Sequence, residues 1–102
     1  MIALINSKKA QILLAENIKN LRLEKGFTQQ GLSKRAGVSL ATLRKFEQKG
    51  EISISSFLKL AITLDCIEKL IKATEPEKKE FTSIDDVINR NTAKKRKRGW
   101  RE

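Results

Sequence analysis

The stretch that most limits how this chain can fold is residues 27–50, FTQQGLSKRAGVSLATLRKFEQKG, where a helical signal stops and restarts within three residues. Thr28 stands at the head of the first run and Ser39 at the head of the second. A short oxygen-bearing side chain there accepts a bond from a first-turn N–H that has no partner inside the helix. Gly37 lies between them and can take the left-handed conformation that ends a helix. Val38 is the apolar residue of the turn, and Leu32 and Ala36, one helical turn apart, point inward. The pattern predicts one helix over about 29–36, a tight turn, and a second helix from Ser39 to about Gln48, closed by Lys49 and Gly50.

At about 100° per residue, Leu43, Phe46 and Glu47 fall on one side of that second helix. Leu40, Ala41, Arg44, Lys45 and Gln48 share the other within an arc of roughly 140°. The first group is apolar apart from Glu47 and is expected to bury. The second mixes cationic, amide and small apolar side chains. Such a face suits the DNA major groove, which offers acceptors on guanine, donors and acceptors on adenine, and a methyl on thymine. Taken alone it equally suits an ordinary amphipathic surface helix.

The rest of the chain supplies a frame of similar helices. A first helix is expected over residues 7–25, capped by Asn6 or Ser7, with Leu14, Ile18 and Leu21 inward and Gly26 ending it. Residues 2–5, Ile-Ala-Leu-Ile, fit either a short strand or an apolar arm. Ile52 and Ile54 lead to a fourth helix starting near Ser55 or Ser56, with Phe57, Leu60, Ala61 and Leu64 inside. A fifth short helix carries Ile67, Leu70 and Ile71. Five helices with short connections predict a compact all-α domain at about 1–74. Pro76, the one proline, divides this domain from an extension at 75–102. There Ser83, Asp85 and Asp86 fit the start of a short helix at about 83–90.

Charge points to the class of partner. The chain carries 22 Lys and Arg against 12 Asp and Glu, a formal charge of +10. So large an excess in 102 residues favours a polyanion, nucleic acid first and a membrane surface second, although basic charge also serves solubility. Lys94, Lys95, Arg96, Lys97, Arg98 and Arg101 crowd six cations into residues 94–101, with Trp100 among them. Like charges at this density repel, so the free segment is expected to be disordered. It is either a solvated tail or a means of reaching phosphates or the minor groove beside a binding site. Trp100 can stack on a base or anchor in a protein pocket.

Other functions find no residues to carry them. Cys66 is the single cysteine and histidine is absent, so an internal disulfide and a Cys/His zinc site are both excluded. Cys66 lies among apolar neighbours and reads as a small core residue. No nucleophile–base pair, glycine-rich phosphate loop or paired carboxylate suggests an enzyme, a metal or a cofactor. Asp85 and Asp86 are adjacent, so on a helix they point about 100° apart. No stretch is long enough to span a membrane, and the start lacks the form of a secretory signal, so the cytoplasm is the expected compartment.

Thr28, Gln29, Leu32, Ala36, Gly37, Val38, Ser39, Thr42, Leu43, Glu47 and Gly50 together form the string TQ..L...AGVS..TL...E..G. In this the chain resembles the Cro/C1 or XRE-type helix-turn-helix family over roughly residues 10–70. Gly31 departs from the family's usual helix former. The resemblance implies a lambda-repressor-like fold and sequence-specific binding to double-stranded DNA as a repressor. It places Gln29 on a phosphate and Ser39 on backbone or a thymine methyl. Leu40, Ala41 and Lys45 would face bases, and Thr42, Arg44 and Gln48 would hold phosphates. It pairs Arg22 with Glu47 as a structural ion pair and implies a homodimer on an inverted repeat, joined through Ile67, Leu70 and Ile71 or through the apolar start. The family is mostly prokaryotic, which argues against reading the basic end as a nuclear-import signal. The outline also resembles HipB-like antitoxins, which bind a HipA-like kinase toxin and repress their own operon; residues 81–88 would then be the toxin contact.

Overall fold

The structure, a computed structural model, describes residues 5–77. Five helices fill them in chain order: α1 (Ser7–Glu24), α2 (Gln29–Ala36), α3 (Leu40–Lys49), α4 (Ile54–Thr63) and α5 (Ile67–Ala73). Among the described residues there is no strand, and the fold is all-α. Of the apolar start only Ile5 is described, exposed and outside any helix. The expected helix at 83–90 and the basic segment 94–101 lie outside the described residues.

Side-chain oxygens set the starts of four helices. Asn6 accepts from the Lys9 N–H at 2.8 Å and heads α1. Thr28 accepts from the Gly31 N–H at 2.9 Å and heads α2. Ser39 heads α3 and Ser53 heads α4 in the same way, each at 3.1 Å. The last differs from expectation, which placed the start near Ser55 or Ser56. Ser53 sits three residues before Ser56, the spacing an N-cap requires. Ile54, read as part of a lead-in, is the first residue of the helix and stands 75% exposed.

The turn between α2 and α3 follows from backbone geometry. Gly37 has φ +71°, and the Val38 N–H bonds the Ser33 carbonyl at 3.2 Å, six residues closing on one. The Ser33 hydroxyl donates in turn to the Val38 carbonyl. Val38 is buried against the core. The turn after α4 has the same form, with Asp65 at φ +61° where a glycine would be easier and the Cys66 N–H on the Ala61 carbonyl at 2.9 Å.

The core gathers Ala15 and Ile18 of α1, Leu32 of α2, Val38 of the turn, Leu43 and Phe46 of α3, and Leu60 and Leu64 at the far side. Phe46 meets Phe57 edge to face, ring centroids 5.8 Å apart. The inner face of α1 runs through Ala15, Ile18 and Arg22. Leu14, expected inside, is 43% exposed. It lies about 100° round the helix from Ala15, and which of two adjacent apolar positions turns inward is decided by the packing of α3 on α1. Leu14 instead borders a shallow apolar groove with Phe46, Ile52, Ile54 and Phe57. Leu70 and Ile67 are half-buried and Ile71 exposed, so α5 lies against the domain with its outer side uncovered.

Gly50 ends α3 at φ +75°, and a Cβ on it would stand 2.9 Å from the Gln11 carbonyl carbon and 3.1 Å from the Ile12 nitrogen. Only a residue without a side chain lets the end of α3 come this close to the backbone of α1. Gly31 has its own local reason. An alanine Cβ there would meet Thr28 Oγ1, the capping oxygen of α2, at 3.2 Å.

Candidate nucleic-acid interface

The interface is built on the outer side of α3. Leu43 and Phe46 are buried, which turns Ala41, Arg44, Lys45 and Gln48 outward as exposed side chains; Leu40 and Thr42 are half-buried at the edges. Ser39 is exposed at the amino end. These residues share one accessible face whose charge is cationic and whose length is that of a ten-residue helix.

Two positions already use the groups expected to meet DNA. The Ser39 oxygen accepts from the Thr42 N–H at 3.1 Å, while its own hydroxyl donates to Thr42 Oγ1 at 2.7 Å. The pair stiffens the first turn of α3. The Gln29 amide donates from Nε2 to Glu47 Oε1 at 3.0 Å, which holds the amino end of α2 against α3.

Glu47 is the hub of that arrangement. Its Oε2 accepts from Arg22 Nε at 2.8 Å, and its Oε1 accepts from Arg22 Nη2 at 3.1 Å as well as from Gln29. Arg22 Nη1 donates to the Phe27 carbonyl at 2.9 Å. The two side chains are 8% and 4% exposed, and no buried side-chain polar atom among the described residues lacks a partner. A buried fork–carboxylate pair whose buried nitrogens and oxygens all have partners fixes position as well as charge. Glu47 thus serves to hold the helix that carries the outer face.

Sequence reasoning missed the loop after α3. Thr42, Lys45, Glu51, Ile52, Ser53 and Ser56 line a recess of about 340 Å³ beside the outer face. Lys45 Nζ stands 3.3 Å from Glu51 Oε1, and Lys8 Nζ stands 3.9 Å from Glu51 Oε2 and 3.3 Å from the Lys49 carbonyl. Lys8 is 41 residues from that carbonyl, so only the tertiary fold brings them together. The cap spacing from Ser53 to Ser56 was the one local sign of this recess.

No group of His, Cys, Asp or Glu among the described residues could hold a metal ion, and no helix among them is long and apolar enough to cross a membrane. Burial pushes the Cys66 thiol above its ordinary range, with Lys25 and Lys69 opposing in part.

No curated protein matches the chain. The helix-turn-helix family model matches residues 18–68, half of the sequence, from the second half of α1 to the start of α5. With its capped turn at Gly37 and its outward α3, the chain belongs to the helix-turn-helix family of the Cro/C1 or XRE type, and it is a DNA-binding transcription regulator.

Proposed function

We propose that this protein is a repressor that recognises a specific inverted-repeat operator as a homodimer. The observation that carries the reading is the division of α3 into a buried side locked by Glu47 and an outer side bearing Ala41, Arg44, Lys45 and Gln48. In this reading Lys45 addresses guanine acceptors, and Leu40 and Ala41 meet thymine methyls or sugar carbons. Arg44, Thr42 and Gln48 hold phosphates, with Ser39 and Gln29 at the entry to the groove. So few hydrogen-bonding groups face the bases that DNA shape and electrostatics carry a large share of the discrimination.

A two-fold dimer would set its α3 helices about 34 Å apart, one turn of DNA. Ile54, Leu58 and Ile62 recur every four residues along the outer side of α4, at 75%, 37% and 61% exposure. Lys59 is the only charge on α4, so two copies can join stripe to stripe in a self-complementary contact without burying like charges. Ile71 extends the exposed apolar surface onto α5.

A footprint on the DNA upstream of the protein's own gene tests the reading. Protection of an inverted repeat, with affinity at least about 10³ above random duplex at fixed salt, is the expected result. Equal affinity for both would leave a low-specificity DNA-binding protein.

A second reading adds an antitoxin role: the same chain would bind a HipA-like kinase toxin and repress the operon encoding both. It rests on the outline of the sequence, a helix-turn-helix domain followed by apolar positions Phe81, Ile84, Val87 and Ile88 and a basic end. Capture of a kinase by the full chain, lost when residues 81–88 are replaced by a Gly/Ser segment, is its test. A stand-alone regulator would capture none.

A further inference from the structure

Lys45 is the one lysine on the face proposed to read bases, and it is already engaged. Glu51 Oε1 lies 3.3 Å from its ammonium, and the other oxygen of the same carboxylate faces Lys8 Nζ at 3.9 Å. Both Lys45 and Glu51 stay well exposed, at 59% and 48%, so the pair is open to exchange with solvent. Glu51 is the only acid in the lining of the recess beside α3; its other polar members are Lys45, Thr42, Ser53 and Ser56.

We propose that Glu51 is a positioning residue that holds Lys45 back from phosphate and so lowers the affinity of the protein for duplex DNA. The inference rests on the reading of α3 as the groove-binding helix. Any duplex must draw the Lys45 ammonium away from Glu51. On random DNA the return is a phosphate contact, an exchange of one anion for another with little net release of counterions. Where guanine lies beneath Lys45, two acceptors on the base edge offer a contact that random DNA does not. The cost of breaking the Lys45–Glu51 pair is the same on either duplex, so Glu51 lowers the affinity for both.

The test uses the full chain and duplex DNA, either random or carrying the site found by footprinting. Glu51→Gln is expected to tighten random-duplex binding roughly threefold to tenfold, to steepen its log–log salt slope by about one, and to tighten binding to the footprinted site at least as much. Glu16→Gln, the same charge change at an exposed position on α1, controls for net charge and is expected to give less than about twofold. In a Lys45→Met background the gain from Glu51→Gln is expected to fall below about twofold, because the ammonium it would release is gone. Unchanged random binding in Glu51→Gln, or a gain equally large in the Lys45→Met background, overturns the inference. Glu51→Ala provides a second variant if the glutamine folds poorly. Failure of the wild-type chain to bind any duplex would instead sink the DNA-reading assignment of α3, and is seen before either variant is made.

Discussion

Arg22 of α1 and Glu47 of α3 meet as a two-pronged pair 25 residues apart in sequence, with Nε to Oε2 at 2.8 Å and Nη2 to Oε1 at 3.1 Å. The carboxylate also takes the Gln29 amide, so one anion holds three helices in register. Removing one member leaves the other buried without a counter-charge. Arg22→Met or Glu47→Gln is expected to destabilise the domain by about 3–5 kcal/mol. Replacing both with apolar residues should recover much of that loss, since two buried charges of high desolvation cost disappear together. Urea unfolding of the three variants checks the order; equal losses in singles and double would refute it.

The glycines at Gly37 and Gly50 share a left-handed φ but not the same surroundings. Nothing lies within 4 Å of a Cβ built on Gly37, so Gly37→Ala should cost only the conformational strain, about 1–2 kcal/mol. Gly50→Ala adds a collision with the α1 backbone at 2.9 Å and should be the more damaging of the two, by the midpoint of thermal unfolding.

If the α4 stripe joins two copies, Ile62→Glu puts a carboxylate into the middle of the contact. Sedimentation equilibrium should show a shift to monomer, with weaker binding to an inverted repeat and an unchanged thermal midpoint at low protein concentration. Ile62 is 61% exposed in the single chain, so its loss should not disturb the core. An unaltered association state would place the dimer contact elsewhere.

Cys66 gives a pH-dependent readout. Its thiol is pushed up chiefly by burial, so less of it is thiolate at a given pH than in an unfolded chain. Alkylation at neutral pH should be slower than for a free cysteine, and the rate should climb only above the ordinary thiol range. The folded state binds the proton more tightly, so this group's contribution to stability is complete below the unfolded pKa and is lost as pH rises through the folded one. A reaction as fast as in denaturant would contradict the raised value.

The six cations at 94–101 make a separate forecast. Deleting residues 91–102 should flatten the log–log salt dependence of DNA binding by several units while leaving the preferred sequence unchanged. An unchanged slope would remove this segment from DNA recognition.

Much of the fold could be read locally. Thr28, Gly37 and Ser39 announce their helix ends because a cap and a left-handed stop depend on residues within four positions. The outer and inner faces of α3 follow from helix periodicity, and Leu43 and Phe46 are buried while Ala41, Arg44, Lys45 and Gln48 are exposed. What escaped depends on long-range packing. Rotating α1 so that Ala15 rather than Leu14 faces inward is a decision of the α1–α3 contact. The start of α4 was misread because exposed Ile54 looks like core. The Lys45–Glu51–Lys8 cluster joins α1 to the loop after α3, and no local pattern could announce it.

Every anchor of α3 sits on its protein side: Leu43, Phe46 and Glu47 within the helix and Gly50 at its end. The anchors and the outward side chains are therefore chemically independent sets. On the proposed reading of α3, new residues at the exposed positions 41 and 45 would redirect the protein to another target sequence with its melting behaviour intact. On that reading the scaffold is a holder into which different recognition alphabets can be fitted.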